Sequence, residues 1–279
     1  MTKQKVLIPP IKSQGIKTKL ISYIQKLTQN CNCSRLVEPF MGTGVVGFNL
    51  KFDEYLMCDS NPHLINFYKC LQNDHLNPSS IKAFLEVEGA LLLKKGAEHY
   101  YYVRERFNSE HSPLDFLFLN RAGFNGMIRF NKKGEFNIPF CKKPNRFAKS
   151  YITKITNQVQ WVYERIHTNS FTFLCQDFRK TLSMVTSGDF IYCDPPYIGR
   201  HVDYYNGWTD GDEHELYSLL NECESKFLLS TWHGNHYREN SYVGTLWSSF
   251  NIYTHDHFYH VGGNENNRTS MTEALVTNY

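Results

Sequence analysis

The tetrapeptide Asp194-Pro195-Pro196-Tyr197 is the stretch whose residue types and order most clearly suggest chemistry. The lone pair of an exocyclic nucleobase amine is delocalised into the ring, so the nitrogen is a weak nucleophile. If a carboxylate and a backbone carbonyl accept its two hydrogens, they hold the nitrogen close to tetrahedral geometry and leave the lone pair free to attack. Asp194 can supply the carboxylate and Pro195 the carbonyl, because two consecutive prolines fix the backbone and carry no amide hydrogen. Tyr197 offers a ring on which a base can stack. The pattern favours group transfer to such an amine; a rigid strand-end turn capped by the aspartate is the alternative.

A glycine turn at residues 38–44 is the second candidate site. Gly42 and Gly44 allow the backbone to turn tightly and to approach a ligand. Asp59, at the end of the next predicted strand, can accept hydrogen bonds from ribose hydroxyls. With Gly47 the glycines also fit the pattern G-x-G-x-x-G, so by themselves they leave an NAD site open. The downstream tetrapeptide favours a methyl donor over a dinucleotide.

Strands and helices that alternate along most of the chain must position these residues. The predicted strands cover residues 36–37, 55–58, 171–175, 190–193, 227–230, 250–253 and 274–277. The predicted helices cover residues 16–28, 45–50, 81–93, 98–108, 114–122, 151–166, a short stretch after 177, 213–223 and 237–248. Ligands of open α/β sheets bind at the carboxyl ends of strands, where the glycine turn, Asp59 and Asp194 all fall. The sequence therefore predicts an α/β fold with a Rossmann-like, mixed and mostly parallel sheet.

Residues 63–150 interrupt the alternation. Their predicted helices are followed by an alternating stretch, residues 129–139, that turns at Lys133-Gly134 and predicts a β-hairpin. The interpretation is a catalytic domain formed by residues 1–62 and 151–279, with residues 63–150 inserted as a second domain.

Basic residues are concentrated in two segments, although the net charge is only +3. Residues 1–35 contain seven Lys or Arg and no Asp or Glu, and residues 129–149 contain seven against Glu135 alone. Two basic segments on an otherwise acidic body are typical of a protein that binds phosphates from one side. Solvated lysine-rich surfaces are the alternative.

Composition narrows the class of protein. The 279 residues are 41% hydrophobic and 20% charged, and no run of eighteen apolar residues predicts a membrane span. The first residues lack the apolar stretch of a signal peptide, which predicts a cytoplasmic protein. The eight cysteines form no C-x-x-C pair, so we expect reduced thiols and no metal site.

The order of these motifs resembles the Dam family (D12 class) of DNA adenine-N6 methyltransferases. The stretches that carry the likeness are residues 9–17, 119–126 and 131–140, while residues 38–47, 140–147 and 193–204 are most similar to the branch represented by the EcoRV modification methylase. The resemblance covers the whole chain. It implies a seven-stranded methyltransferase domain with an inserted target-recognition domain, S-adenosylmethionine as cofactor, no metal, and double-stranded DNA as partner.

The resemblance also implies a set of cofactor contacts. Lys17 and Ser13 would contact the methionine part, although many relatives carry tryptophan in place of Ser13. Asp59 would bind the ribose, and Asp177 and Phe178 would contact the adenine ring. The implied cofactor-binding residues are Ser13, Lys17, Glu38, Phe40, Gly42, Gly44, Asp59, Asp177, Phe178 and Asp194.

Residues 63–150 would, by the same resemblance, contact DNA. Phe124 and Asn125 match an aromatic ring and an amide that enter the duplex in place of a flipped adenine, with core packing as the alternative for Phe124. Arg129 matches a side chain that reads a guanine edge. The implied DNA-binding residues are Lys12, Phe124, Asn125, Arg129, Asn137, Pro139 and Lys142, where each lysine fits a generic phosphate contact equally well.

The target base would need a pocket, because an adenine amine cannot reach a methyl donor while the base is stacked in the duplex. Tyr197, Trp232 and Tyr259 could build it, and Ser230 and Trp232 fall at the end of the strand after the tetrapeptide. Core packing accounts for Trp232 and Tyr259 equally well. The loop at residues 199–208 is expected to close over the site.

These observations predict a monomeric, site-specific adenine DNA methyltransferase. The resemblance implies a target beginning GAT, with GATATC favoured and GATC second, and a cognate restriction endonuclease as a candidate partner. An NAD-dependent oxidoreductase, a catalytically silent DNA-binding module and an RNA or protein methyltransferase remain as alternatives.

Overall fold

The computed structural model of the protein describes residues 6–198, 207–235, 239–258 and 270–279. Within them seven strands form one sheet in the order β3-β2-β1-β4-β5-β7-β6. The strands are β1 (Arg35–Glu38), β2 (Glu54–Asp59), β3 (Ser170–Cys175), β4 (Asp189–Cys193), β5 (Lys226–Asn235), β6 (Asn251–Phe258) and β7 (Ser270–Thr277). Strands β1 to β5 pair in parallel, and β7 lies antiparallel between β5 and β6. The predicted mixed, mostly parallel sheet is confirmed.

The order of the strands reverses between β1 and β4. The chain moves outward from β1 through β2 to β3 and then crosses to β4 on the other side of β1. All five residues of β4 are buried, as expected where helices cover both faces of a parallel sheet. A crevice opens at such a switch point beyond the carboxyl ends of the two strands, and this is where ligands of α/β sheets bind.

Ten α-helices surround the sheet in the described residues. They are α1 (Ile21–Thr28), α2 (Val45–Asn49), α3 (Pro62–Gln72), α4 (Pro78–Lys95), α5 (Ala97–Glu110), α6 (Pro113–Ala122), α7 (Lys149–Thr168), α8 (Phe178–Leu182), α9 (Asp210–Asn221) and α10 (Ser241–Gly244). Several starts follow from local chemistry: Asn61 accepts amide hydrogens at the start of α3, and Thr209 forms a capping box with Asp212 at α9. No described helix combines the length and apolar character that a membrane crossing requires.

Several elements differ from their predicted form. Helix α1 starts at Ile21 rather than residue 16, because Gly15 has a φ of +74° and residues 14–20 form turns. The predicted hairpin at 129–139 has one antiparallel bridge, Phe130 to Phe136, and no regular strands. The helix predicted over 237–248 is limited to α10, because Asn240 caps it at its start and the chain turns after Gly244. Strand β5 runs to Asn235, beyond the predicted end at residue 230, because β7 pairs with it from Leu228 to Asn235.

The segment of residues 63–150 packs against the rest of the molecule through one continuous apolar core. Helix α3 lies on the sheet, and the side-chain amide of Gln72 at its end donates to the Phe171 carbonyl on β3 at 2.7 Å. Helices α4, α5 and α6 pack on one another, and α4 also packs on α7. The division into a catalytic domain and an inserted domain therefore stays a prediction, with α3 attached to the sheet.

Candidate active site

The glycine turn after β1 and the end of β2 are joined by a hydrogen bond. The Gly42 amide donates to Asp59 Oδ2 at 2.9 Å, and Gly42 and Gly44 have left-handed φ angles of +48° and +72°. A Cβ at Gly44 would lie 2.6 Å from Cε2 of Phe48, whereas a Cβ at Gly42 would have no atom within 4 Å. The turn thus leaves open space on the side of Gly42.

Asp59 is held with its carboxylate at the edge of the sheet. Its second oxygen accepts the Asn61 amide at 2.8 Å. Burial raises the pKa of Asp59, while the amides of Asn61 and Gly42 counteract that rise. Both oxygens keep lone pairs for further donors such as ribose hydroxyls.

Glu38 is a buried acid at the end of β1, only 1% exposed. Burial raises its pKa well above the usual value, with the Gly47 amide acting in the opposite direction. A Cβ on Gly47 would lie 3.0 Å from Glu38 Oε1 and 2.7 Å from the Met57 methyl carbon. Gly47, the third glycine, therefore allows α2 to pack closely on the sheet. The G-x-G-x-x-G pattern alone did not predict this role.

Asp194 follows β4 and pairs with a lysine from the other end of the chain. Lys17 Nζ lies 2.9 Å from Asp194 Oδ1, and its side chain is 4% exposed against 23% for Asp194. The same ammonium donates to the Gly15 carbonyl at 3.0 Å and lies 4.9 Å from the centre of the Tyr197 ring. Burial raises the pKa of Asp194, and Lys17 opposes this, so a cation steadies a carboxylate beside a crevice.

Tyr197 is anchored by a residue outside the predicted site. Its hydroxyl donates to Glu273 Oε2 at 2.8 Å, and Glu273, on β7, is fully buried. Pro195 is buried and Pro196 partly so, which holds the turn between Asp194 and the ring. Sequence reasoning missed Glu273; its one signal is an acid in the otherwise uncharged strand β7.

Three aromatic rings meet beside the glycine turn. Phe40 stacks on Phe178 with centroids 5.3 Å apart, and Trp208 contacts both rings at 5.5 and 5.4 Å. The indole nitrogen of Trp208 donates to Glu213 at 2.8 Å. Asp177 caps α8 by accepting the Arg179 amide, and its side chain is 51% exposed. Trp208 was predicted only as part of a closing loop; residues 199–206 of that loop lie outside the described part.

The predicted target-base residues divide into two groups. Tyr197 lies at the crevice, as described above. Ser230 is fully buried and Trp232 is 7% exposed, both within β5 rather than at its end. Tyr259 lies outside the described residues.

The wedge predicted at Phe124-Asn125 projects from the surface. The Phe124 ring is 50% exposed, which rules out the alternative of core packing, and its amide donates to the Pro139 carbonyl at 2.9 Å. Asn125 is exposed and has a φ of +53°. A backbone bridge between Gly123 and Phe140 closes the base of this loop.

The predicted base-reading residues lie on the neighbouring turn. Arg129 Nε donates to Asn137 Oδ1 at 2.7 Å, which fixes the guanidinium to its partner across the turn. Pro139 and Lys142 are exposed, and Lys142 has a φ of +58°. The predicted residues of this segment all fall within residues 124–142 of the sequence, and their role in DNA binding stays a prediction.

Lys12 reaches this stretch from the amino-terminal segment. Its backbone amide and carbonyl both bond to the Asn120 side chain, at 2.8 and 2.9 Å. A Cβ at Gly126 would lie 2.7 Å from Lys12 Cδ, so only glycine leaves room for the lysine there. Ser13, the next residue, has no ring in place of the tryptophan that many relatives carry, and its hydroxyl donates to the Gln14 carbonyl at 3.2 Å.

Three cations converge on Tyr151, at the start of α7. Arg146 donates to the Tyr151 hydroxyl at 2.9 Å and lies 4.4 Å from the ring centre, with Arg121 at 5.2 Å and Lys12 at 5.8 Å. Burial alone would raise the pKa of Tyr151, but Arg121, Lys12 and Arg146 together lower it. The composition of residues 129–149 predicted positive charge, but it did not predict that three cations meet at one tyrosine ring.

The described residues contain no group of three or more His, Cys, Asp or Glu side chains that could hold a metal ion. The crevice does fit S-adenosylmethionine: the open glycine turn, the acids Glu38 and Asp59, and the rings of Phe40 and Phe178 surround it. Carboxylates suit the positive sulfonium and ammonium groups, and aromatic rings suit an adenine.

Comparisons with known proteins agree with this geometry. Residues 13–261 match the model of the family described as D12 class N6 adenine-specific DNA methyltransferase. The retron Ec67 DNA adenine methylase of Escherichia coli is 36% identical over 219 residues, covering 75% of this chain and 71% of that protein. The DNA adenine methylase of Haemophilus influenzae is 35% identical over 198 residues (68% and 63%), and that of Vibrio cholerae 32% over 248 (85% and 83%).

Among solved structures, the rRNA methyltransferase aviRa from Streptomyces viridochromogenes superposes with a TM-score of 0.41 at 11% identity, covering 96% of this chain and 87% of that one. A TM-score below 0.5 at this identity supports no conclusion about this chain. The family match spans most of the chain and includes the glycine turn, both strand-end acids and Asp194–Tyr197. The chain therefore belongs to the D12 class of N6 adenine-specific DNA methyltransferases.

Proposed function

We propose that this protein methylates N6 of an adenine flipped out of double-stranded DNA, within a palindrome that contains GAT. The observation that carries the proposal is the position of Asp194 and Tyr197 beyond β4, next to the glycine turn after β1 and beside buried Lys17. Membership of the family implies S-adenosylmethionine as the methyl donor. When bound, it supplies an electrophilic methyl group on a sulfonium.

The protein's contribution is to hold the amine. Asp194 accepts one hydrogen of the adenine amine and the Pro195 carbonyl the other, which turns the nitrogen lone pair out of the ring system. Lys17 favours the ionised form of Asp194 and must share or yield its contact with Oδ1 when the amine arrives. Tyr197 stacks on the base.

The cofactor contacts follow the arrangement of the crevice. Gly42 and Gly44 would let the backbone approach the cofactor, Asp59 would accept from the ribose, and the stacked rings of Phe40 and Phe178 would offer one aromatic surface to the adenine ring. Glu38, Lys17, Ser13 and Asp177 complete the proposed set, Ser13 through its backbone because its hydroxyl bonds locally. We add Trp208, which contacts Phe40 and Phe178, to these residues.

DNA binding is assigned to residues 63–150 with Lys12. The exposed Phe124-Asn125 loop supports a wedge that replaces the flipped adenine, and Arg129, braced by Asn137, supports base reading. The cations around Tyr151 repel one another, and a DNA phosphate would relieve that repulsion. Pro139 and Lys142 are the remaining proposed contacts.

The target sequence proposed first is GATATC, with GATC second, and a cognate restriction endonuclease acting on the same site is part of the proposal. The protein would act as a monomer in the cytoplasm. Expression in a host that lacks adenine methylation, followed by sequencing that detects modified adenines, tests the site. Methylation of GATC alone would reject GATATC, and methylated adenines outside any GAT would reject both.

The mechanism is tested with Asp194→Ala. We expect methyl transfer to fall below detection in a radiolabel assay while the Kd values for S-adenosylmethionine and duplex DNA change by less than about fivefold, because the lost contact acts mainly on the transferring amine. Asp189→Asn, at the opposite end of β4, serves as a control for changes in the strand itself. Near-normal turnover by Asp194→Ala would disprove the assigned role.

A further inference from the structure

Glu273 is a fully buried acid that belongs to none of the motifs above. It lies on β7, the antiparallel strand between β5 and β6, and it accepts the hydroxyl hydrogen of Tyr197 at 2.8 Å. A buried carboxylate is costly unless it is well paired, so its position beneath this particular hydroxyl calls for an explanation.

The sheet brings Glu273 to the crevice by a change of register. Glu273 pairs with Trp232 on β5, and the register of the two strands shifts between Trp232 and Gly234. A bulge of this kind bends a strand and re-aims its side chains. Glu273 therefore lies beside the carboxyl-terminal half of β5, within reach of the turn that follows β4.

Tyr197 stands between two carboxylates. Its hydroxyl bonds to Glu273, and the same hydroxyl is close enough to Asp194 to act on it: burial and Glu273 raise the pKa of Asp194, whereas Lys17 and Tyr197 lower it. A phenol that donated fully to Asp194 would occupy an oxygen that the adenine amine needs. The bond to Glu273 directs the phenol away from it.

We propose that Glu273 is a positioning residue for methyl transfer: by accepting the Tyr197 hydroxyl, it sets the angle of the ring on which the target base stacks and leaves Asp194 free for the amine. The bond is charge-assisted and shielded from water, which makes it strong enough to fix one ring orientation. This proposal rests on the proposed function, since it concerns how a flipped adenine is received.

Three variants test the bond from both sides. Glu273→Leu removes the acceptor, Glu273→Gln keeps an acceptor without the charge, and Tyr197→Phe removes the donor but keeps the ring. Asp189→Asn is the matched control, because Asp189 is also a buried acid of the sheet, 2% exposed, but lies at the amino end of β4, beside Arg35.

Single-turnover methylation measures the effect on chemistry. We expect Glu273→Leu and Tyr197→Phe each to slow the step about tenfold or more, Glu273→Gln to retain part of the rate, and the double variant Glu273→Leu/Tyr197→Phe to be no slower than either single variant. The Kd of S-adenosylmethionine should stay within about twofold in all of them, and Asp189→Asn should methylate at the wild-type rate.

Base stacking provides a second readout. The fluorescence of 2-aminopurine at the target position rises when the base leaves the duplex and is quenched when it stacks on an aromatic ring. We expect the Glu273 and Tyr197 variants to show the rise with weaker quenching. Losses that multiply in the double variant, or a wild-type rate and wild-type quenching in Glu273→Leu, would overturn the proposal.

The failure of this proposal can be told apart from failure of the proposed function. A double-mutant cycle on urea unfolding, without cofactor or DNA, measures whether Glu273 and Tyr197 are coupled in the folded protein. If the wild type produced no methylated DNA while the coupling persisted, the proposed function would be wrong. If the wild type were active but the two residues were uncoupled in both unfolding and methylation, the proposed role of Glu273 would be wrong.

Discussion

Asp194 illustrates how one residue can be chemically suited to its role only through its surroundings. An aspartate at a strand end is ordinarily solvated and ionised. Here burial raises its pKa and Lys17, 4% exposed, counteracts that rise. Lys17 thus favours the ionised form of a sheltered carboxylate, and the ionised form is the one that accepts hydrogen bonds through both oxygens.

Arg129 and Lys142 allow base reading to be separated from phosphate binding. Arg129 is braced by Asn137, whereas Lys142 is exposed and has no such brace in the described contacts. We expect Arg129→Ala to cost about 1–3 kcal/mol of discrimination at one base pair, and Lys142→Ala to weaken binding to all sequences alike. Competition binding with single-base-pair variants of the site measures this. If Arg129→Ala weakened all sequences equally, Arg129 would be a phosphate contact.

At the scale of elements, the turn between β1 and α2 depends on two glycines for different reasons. Both have left-handed φ angles, but only at Gly44 would a Cβ meet another group, Phe48 Cε2 at 2.6 Å. The left-handed conformation costs about 1–2 kcal/mol at either position for an L side chain.

We therefore expect Gly44→Ala to lower the free energy of unfolding more than Gly42→Ala, by about 1 kcal/mol or more, because it adds a clash to the same strain. Gly42→Ala, whose Cβ would enter the open crevice, should instead act mainly on the Kd for S-adenosylmethionine. Urea unfolding and cofactor titration check the two effects. Equal losses of stability would show that the contact with Phe48 relaxes freely.

The junction of the amino-terminal segment, the turn at residues 123–147 and α7 concentrates positive charge. Arg146 stacks on Tyr151 with its guanidinium 4.4 Å from the ring centre. Outside this junction, on α5, Arg104 stacks on Tyr101 at 4.6 Å. Only the first pair has Lys12 and Arg121 beside it.

We expect Arg146→Gln to reduce the slope of log Kobs against log salt for DNA binding by about 0.9, the effect of one lost phosphate contact. Arg104→Gln, the matched control with the same arginine-on-tyrosine contact, should leave the slope unchanged. DNA-binding isotherms measured from low to moderate salt give the slope for each variant. Equal slopes for Arg146→Gln and the wild type would place the phosphate elsewhere.

In the molecule as a whole, a buried histidine joins the sheet-bound helix α3 to the segment of residues 107–130. His63 stacks on Phe130 at 5.0 Å and contacts Phe107 and His111 at 5.0 and 4.9 Å. Burial, with a contribution from His111, lowers the pKa of His63 to about 4. The folded protein therefore holds His63 neutral at pH values where the unfolded chain is protonated.

The unfolded histidine titrates near 6.5, so the folded state should lose stability as the pH falls from about 6.5 to about 4, and no further below that from this group. We expect the free energy of unfolding to drop by about 2 kcal/mol between pH 7.5 and pH 5 on account of His63. His63→Phe should remove that part of the drop in urea titrations at the two pH values. An unchanged drop would assign the acid sensitivity to other groups.

Local sequence patterns were enough to predict the class of fold and the residues that stand at the strand ends. Periodicity and turn residues are local properties, so they predicted the seven strands, most helices and the positions of Asp59 and Asp194 at carboxyl ends. The same locality explains the errors: alternation around Lys133-Gly134 predicted a hairpin, but the chain makes only one bridge there, between Phe130 and Phe136.

Which distant residues meet at the crevice depends instead on how the whole chain packs. Lys17 lies against Asp194, Glu273 beneath Tyr197, and Trp208 against Phe40 and Phe178. These pairs depend on the switch point between β1 and β4 and on the shifted register of β5 and β7. Neither leaves a periodic trace in the sequence, because both arise from how strands far apart along the chain pair with one another.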